Sequence, residues 1–146
     1  MILFRNLDDS ELVEILTLCT TKRYSKDNKV FSEDDAASKL YLIREGKVRI
    51  SKMIPGVGEE ALAVLKDGEF FGEMALIDES VRSAHAIAHT DCTLMEIGIK
   101  DLQDLLEKNE RFAVKFLREF CRNLAGRLRA TNDKFYGLFA MSQFFK

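Results

Sequence analysis

The sequence is poor in the residues on which metal sites and disulfide frameworks depend. It has no tryptophan, one proline, two histidines and three cysteines among 146 residues. An odd number of scattered cysteines argues against a disulfide framework, so Cys19, Cys92 and Cys121 are expected to be reduced core residues of a cytoplasmic protein. His85 and His89 would share one face of a strand, but a metal site needs at least one more ligand in register, and none is predicted.

The charge balance and the hydropathy of the chain exclude further classes of protein. A formal net charge of −2 gives no overall attraction to nucleic acid or to an anionic membrane. No apolar run approaches the length of a bilayer span, and the first residues, MILFRNLDDSEL, lack a signal-peptide pattern. The sequence also lacks an activated nucleophile, a general-base pair and a Walker loop, so an enzyme is not expected.

What the sequence does contain falls into three zones, of which the first is a short helix. Asp8, Asp9 or Ser10 is suited to cap a helix that reads ELVEILTLC. The helical spacing predicts one apolar side, made of Leu12, Ile15, Leu16 and Cys19.

The second zone runs from about residue 20 to residue 98 and has the pattern of short strands. Segments such as KLYLI, KVRISKMI and EALAVL alternate or run apolar. Turn signals separate them: DN at 27–28, EG at 45–46, PGVG at 55–58 and DG at 67–68. Strands at that spacing predict an antiparallel barrel or jelly roll.

The third zone is helical from about residue 99 to residue 145. IKDLQDLLEKN predicts one helix, which Asn109 breaks or caps, and a long proline-free helix follows it. Leu102, Leu105 and Leu106 share one face of the first helix. On the second helix, three phenylalanines at a spacing of four are expected to pack on the barrel: Phe112, Phe116 and Phe120.

A second apolar stripe on the long helix follows alternating spacings of four and three. This stripe, called the seam below, comprises Leu117, Cys121, Leu124, Leu128, Thr131, Phe135 and Leu138. The spacing favours a coiled-coil homodimer through the helix at 111–142, because the helix outruns what one small barrel covers. The alternative is a single wide apolar face with no partner. The Thr131 hydroxyl either bonds back to the carbonyl four residues earlier or meets a ligand at the dimer interface.

The charged residues of FFGEMALIDESVRSAH, at 70–85, are the chemical feature of the second zone. GEMALI favours a short helix, and Gly72 at its start leaves backbone N–H groups open to an anion. Arg82 is expected to return to that end through the turn DESV, which adds a planar set of donors suited to phosphate. Glu73 would repel phosphate but accept hydrogen bonds from hydroxyls, so the pattern describes a ribose phosphate. The alternative is that Glu73 and Arg82 form salt bridges, either to each other or to surface residues.

The stretch FGEMALIDESVRSAHA resembles the phosphate-binding cassette of cyclic nucleotide-binding domains. LYLIREGKVRI is similar to the paired barrel strands of that family, with a glycine turn at Gly46, and RLRATNDK resembles the central helix of its catabolite activator (Crp/Fnr) branch. The resemblance covers nearly the whole chain. It implies one domain, residues 1–146, that is mainly β with flanking helices: an antiparallel β-roll or jelly roll (a double-stranded β-helix) with an N-terminal helix and a long C-terminal dimerisation helix.

The resemblance also implies a ligand, cAMP or cGMP, and a role for each matching residue. Glu73 would bind the ribose 2′-hydroxyl, and Arg82 would pair with the cyclic phosphate. Backbone amides around Gly72, Glu73, Met74 and Ala75, with the amide or hydroxyl of Ser83, would complete the phosphate site. Thr131 and Asn132 would reach the base from the long helix, in the same subunit or in its partner. Thr131 favours cAMP over cGMP, and no cofactor is implied.

The expected function is that of a sensor whose dimer switches when the nucleotide binds. One alternative is the sensor part of a Crp-like DNA-binding regulator, whose helix-turn-helix is absent from this chain. The other is a member of the fold that has lost nucleotide binding. The final stretch FYGLFAMSQFF is apolar and unlike a recognition helix, so direct contact with nucleic acid is not expected.

Overall fold

The computed structural model of the chain describes residues 1–78 and 81–144. In this part the strands are β1 (Cys19–Tyr24), β2 (Lys29–Phe31), β3 (Lys39–Glu45), β4 (Val48–Ile54), β5 (Gly58–Leu65), β6 (Phe70–Phe71), β7 (His85–Ala88) and β8 (Cys92–Gly98). The helices are α1 (Asp9–Leu18), α2 (Met74–Asp78), α3 (Ile99–Lys108) and α4 (Glu110–Phe144), preceded by a 3₁₀ turn at Ile2–Phe4.

The strands form two four-stranded antiparallel sheets that face each other. One sheet has the order β1-β8-β3-β6 and the other has the order β2-β7-β4-β5. This arrangement confirms the predicted β-roll, and the four predicted turns fall between consecutive strands. The turn after β3 depends on Gly46, because its φ is +102° and an added Cβ would lie 2.5 Å from the carbonyl oxygen of Asp91.

Strand β3 separates two hydrophobic cores, because successive side chains of a strand point to opposite faces. Leu40 and Leu42 face the helices, whereas Tyr41 and Ile43 face the space between the sheets. All four are buried, which explains why KLYLI reads as a continuous apolar run.

Helix α1 begins where a capping box forms. The carboxylate of Asp8 accepts the backbone N–H of Glu11 at 2.8 Å, and Glu11 Oε1 accepts the backbone N–H of Asp8 at 3.1 Å. The predicted apolar side was partly wrong: Ile15 is fully buried, but Leu16 is 42% exposed and Cys19 already belongs to β1. Glu11 is buried instead, because Lys115 of α4 pairs with its carboxylate at 2.5 Å.

Asn109 both ends α3 and starts α4. Its backbone N–H closes α3 on the carbonyl of Leu105, and its side-chain oxygen accepts the backbone N–H of Phe112 at 3.0 Å. Helix α4 has 35 residues, or a length of about 52 Å at 1.5 Å per residue. Phe112, Phe116 and Phe120 are buried against the first sheet, as predicted.

The seam lies on a different side of α4 and is largely exposed. Leu128 is 61% exposed, Phe135 72% and Leu138 68%. Cys121 is also exposed, so the expectation of three core cysteines was wrong at that position; Cys92 is buried and Cys19 is half-buried. Within the described ranges, no helix combines the length and the apolar composition that crossing a membrane requires.

Candidate functional site

A cavity of about 410 Å³ lies where the second sheet, the α2 segment and α4 meet. The segment around α2 contributes Gly72 to Ala75 and Val81 to Ala84, and the sheet contributes the apolar side chains of Ile50, Leu62 and Leu65. One face of α4 closes it with Arg127, Ala130, Thr131 and Lys134. Seven of the eight residues predicted for the site therefore line one cavity. Six of them belong to the segment around α2, and the seventh, Thr131, belongs to α4.

Gly72 is required at its position by both backbone geometry and space. Its φ is +76°, a region that side chains with a Cβ rarely adopt. A Cβ there would lie 2.8 Å from Nη1 of Arg82 and 3.1 Å from the carbonyl oxygen of Lys39. The absence of a side chain at Gly72 therefore leaves the space that the Arg82 guanidinium occupies.

The backbone of Arg82 is fixed by an antiparallel contact with the loop before β3. The N–H of Arg82 donates to the carbonyl of Asp35 at 2.9 Å, and the N–H of Asp34 donates to the carbonyl of Arg82 at 2.9 Å. Ala36 and Val81 pair beside them. The predicted return of Arg82 to the start of α2 is confirmed, although Glu79 and Ser80 of the expected turn lie outside the described residues.

The Arg82 guanidinium is buried, with 5% of the residue exposed. It donates to the carbonyl of Gly72 at 3.1 Å and to that of Lys39 at 2.7 Å, and it lies 4.2 Å from the ring centroid of Phe31. Burial lowers the pKa of Arg82, because desolvation disfavours the charged form. Its Nε–H has no acceptor among the described residues. The site therefore holds a cation whose hydrogen bonding is incomplete.

Glu73 pairs with Arg127 of α4 and not with Arg82. Nη1 of Arg127 donates to Oε1 of Glu73 at 3.1 Å, and its Nη2 donates to the carbonyl of Phe70. The Arg127 guanidinium also stacks 4.5 Å from the ring centroid of Phe70. The residue predicted to bind ribose is thus tied directly to the long helix.

Arg127 and Lys134 were missed by the sequence reasoning. They lie four residues before and three residues after Thr131, on neighbouring turns of the predicted helix. That spacing was the signal available, because any helix that brings Thr131 to a ligand also brings these two side chains to the same side.

The remaining predicted residues occupy three kinds of position. Ser83 is exposed at the cavity wall, and its hydroxyl lies 3.9 Å from the sulfur of Met74. Thr131 lines the cavity, and within the described part of the chain its hydroxyl does not bond back to the carbonyl of Arg127. Asn132 is exposed on α4 outside the cavity lining.

The histidines of the second zone are not assembled into a metal centre in the described ranges. Nδ1 of His85 accepts the backbone N–H of Glu33 at 3.0 Å, which gives it a structural partner. No group of three or more His, Cys, Asp or Glu side chains in residues 1–78 and 81–144 has metal-binding geometry.

The fold and the cavity define a β-roll ligand-binding domain. The particular family follows from comparison with known proteins: the model of the cyclic nucleotide-binding domain family matches residues 21–109, and the chain belongs to this family. The cyclic AMP receptor protein of Thermus thermophilus is 36% identical over 106 residues, which cover 73% of this chain and 49% of that protein. Glutaminase 1 of Bradyrhizobium diazoefficiens is 33% identical over 132 residues, which cover 90% of this chain and 21% of that protein.

Among solved structures, the chain is similar to the catabolite activator protein of Thermus thermophilus. The two align with a TM-score of 0.79 at 32% identity, over 94% of this chain and 63% of that one. The match supports the assignment of the long α4 as well as of the β-roll. The chain spans between a fifth and about half of the length of the two curated relatives.

Proposed function

We propose that this chain is a cyclic nucleotide sensor, with a preference for cAMP over cGMP, that signals through α4. The observation that carries the proposal is Arg82, a buried cation in the wall of the cavity that forms no ion pair with any described carboxylate. A buried charge without an ionic partner is costly, and a phosphate of opposite sign compensates it. The proposal covers residues 1–146 as one domain.

The roles of the cassette residues follow from their positions around the cavity. Arg82 and Ser83 bind the cyclic phosphate, the Arg82 Nε–H gaining the acceptor that it lacks among the described residues. Backbone amides at Gly72, Glu73, Met74 and Ala75 lie on the same wall and complete the phosphate site.

Glu73 is proposed to accept the ribose 2′-hydroxyl and thereby to transmit binding to α4. Arg127 already donates to Oε1 of this carboxylate, so a hydroxyl that arrives there either uses a remaining acceptor site of the carboxylate or competes with Arg127. Competition with Arg127 changes what holds α4 against the cavity. Ligand binding shifts an equilibrium only where two states differ in affinity, and the Glu73–Arg127 contact supplies such a difference.

The base is proposed to lie along α4, beside Thr131, with Asn132 contributing in the same subunit or from a second one. The preference for cAMP rests on the resemblance of the Thr131 region to the catabolite activator branch. The relative from Thermus thermophilus named for cyclic AMP agrees with it.

The exposed seam is proposed to pair with the same seam of a second copy. A parallel two-fold arrangement places each residue of the seam opposite its own counterpart. Mild oxidation should therefore crosslink Cys121 to Cys121 of the second copy, since this thiol is exposed. Cys121→Ser should abolish the crosslinked dimer on a non-reducing gel. A wild-type chain that stays uncrosslinked and monomeric at high concentration contradicts the dimer.

The output of the sensor depends on the protein to which it belongs. One candidate is the sensor part of a Crp-like DNA-binding regulator, favoured by the similarity to the Thermus thermophilus regulator. A second candidate is the regulatory part of an enzyme, favoured by the glutaminase that matches 90% of this chain. In both, the present chain binds the ligand and performs no chemistry itself.

Isothermal titration calorimetry with cAMP, cGMP and a cyclic dinucleotide tests the ligand class. We expect saturable binding of cAMP, one per chain, and weaker binding of cGMP. Glu73→Gln should weaken cAMP while leaving the affinity for 2′-deoxy-cAMP nearly unchanged, which isolates the ribose contact. A wild-type chain that binds none of the three ligands would instead be a member of the fold that has lost nucleotide binding.

A further inference from the structure

We propose that Lys134 contacts the 6-position of the nucleobase and donates to an acceptor there, so that the weaker binding of cGMP depends on Lys134 and the binding of cAMP does not. The inference rests on the proposed function, because it assumes that the cavity holds a cyclic purine nucleotide. It assigns a specificity role to a residue that neither the cassette nor the seam includes.

Lys134 lies on the face of α4 that closes the cavity. Arg127, Ala130 and Lys134 follow one another at spacings of three and four residues, and all three line the cavity. Arg127 is anchored at Glu73, beside the proposed ribose position. Lys134 is seven residues further along α4, or about 10 Å at the helical rise. A base that extends from the ribose along α4 therefore points its far edge toward Lys134.

The Lys134 ammonium is available to a ligand. In the described ranges it has neither an ion pair nor a side-chain hydrogen bond to the protein. Glu69 also lines the cavity and could in principle pair with a lysine. Its carboxylate instead accepts the backbone N–H of Lys66 at 2.8 Å. The second sheet contributes Leu62 and Ala63 to the lining, and neither residue has a polar side chain.

The chemistry of the ammonium distinguishes the two purines. A lysine has three donors and no acceptor. The guanine edge presents O6 and N7, both acceptors, whereas the adenine edge presents an N6 amino donor beside N7. At the 6-position, a donor that faces N6 meets another donor, whereas a donor that faces O6 gains a charge-assisted hydrogen bond. N7 accepts a hydrogen bond in both bases, so a contact with N7 does not distinguish them.

The test is calorimetric titration of the wild type and of Lys134→Met with cAMP, cGMP and cyclic inosine monophosphate. Methionine keeps an unbranched apolar side chain but removes the donor. We expect the Kd of cGMP and of cyclic inosine monophosphate to rise about tenfold, the size of one such hydrogen bond. The Kd of cAMP should change less than twofold. The inosine nucleotide carries O6 without the 2-amino group, so it isolates the 6-position.

Arg129→Met is the matched control, because it removes the same charge from an exposed position of α4 outside the cavity lining. It should leave all three affinities within twofold. Equal weakening of cAMP and cGMP by Lys134→Met would overturn the inference in favour of general attraction to the phosphate. Unchanged cGMP affinity, or a wild type that binds cAMP but no cGMP, would overturn it while leaving the proposed function intact. A wild type that binds no cyclic nucleotide removes both.

Discussion

The two halves of α4 carry similar apolar side chains into opposite environments. In the first half Phe112, Phe116 and Phe120 are buried against the sheet, and Phe116 lies 5.5 and 6.2 Å from its two neighbours, ring centroid to ring centroid. In the second half Phe135 and Leu138 are 72% and 68% exposed. The same helix is thus fixed by the β-roll at one end and leaves its apolar surface uncovered at the other.

The difference indicates where a signal can act. Burial of aromatic side chains stabilises the first half irrespective of ligand. Helix propensity alone holds the second half only weakly, because helical stability in proteins comes mostly from packing. Arg127 lies at the boundary, and because it contacts Glu73 we expect the site to respond to the position of α4.

The largest effect is expected from Phe116→Ala in the buried half. Removing a fully buried phenylalanine loses its transfer free energy and leaves a cavity, at a cost of about 3–5 kcal/mol in the free energy of unfolding. Phe135→Ala is the matched change in the exposed half and should leave that quantity within about 0.5 kcal/mol in dilute solution. Urea unfolding of both variants at low protein concentration measures the contrast. Equal losses would mean that the second half is packed on its own domain.

Gly72→Ala should have the next largest effect. The change forces an alanine to a positive φ and places a Cβ against Nη1 of Arg82, so we expect a loss of about 1–3 kcal/mol together with weakened cAMP binding. Gly126→Ala on α4, where an added Cβ meets nothing within 4 Å, should instead stabilise by about 0.5–1 kcal/mol. Thermal and urea unfolding separate the two; a neutral Gly72→Ala variant would show that the Arg82 side chain is not held under this glycine.

Arg127→Ala is expected to cost about 1 kcal/mol, since it removes a charge-assisted hydrogen bond that is partly open to solvent. Its larger consequence is functional: cAMP should still bind, but α4 should respond less to binding. The check is a pair of measurements, the Kd for cAMP and the ligand-induced change in crosslinking at Cys121. A variant that binds cAMP and responds like the wild type would remove Arg127 from the signalling route.

The smallest effect is expected at the cap of α1, far from the cavity. The pKa of Asp8 is lowered from 3.8, mainly by the backbone N–H of Glu11. Because the folded-state pKa is depressed, the stabilisation is present above the unfolded value and is lost as the pH falls through the folded value. Asp8→Ala should therefore lower the Tm at pH 7, by a difference that shrinks below a pH of about 4. Asp8→Asn keeps a cap that carries no charge. The difference in Tm between Asp8→Asn and Asp8→Ala should therefore stay the same as the pH is lowered.

The sequence predicts the fold well where the signals are local. Turn residues such as Gly46 have a geometry that few other residues adopt, and β3 carries the apolar run of a strand buried on both faces. The start of α4 is also local, because Asn109 caps it with its own side chain. These features depend on neighbouring residues, so short patterns are sufficient to find them.

The errors and omissions concern contacts between distant parts of the chain. Leu16 has the spacing of a core residue, but the core side of α1 depends on which elements pack against it, and the ion pair with Lys115 of α4 allows Glu11 to be buried. The pairing of Glu73 with Arg127 joins residues 54 positions apart. Cys121 likewise lies on an apolar stripe that its own domain does not cover. Such outcomes follow from tertiary docking, which spacing alone does not define.

Hydrogen exchange measured along α4, with and without saturating cAMP, tests whether the exposed half of this helix responds to the ligand. We expect amides at 128–144 to exchange more slowly in the presence of cAMP, while amides at 112–120, already protected by the buried phenylalanines, change little. Arg127→Ala should reduce this difference. Identical exchange at 128–144 in both conditions, under which calorimetry shows the nucleotide bound, would contradict the claim that the exposed half of α4 reports the ligand.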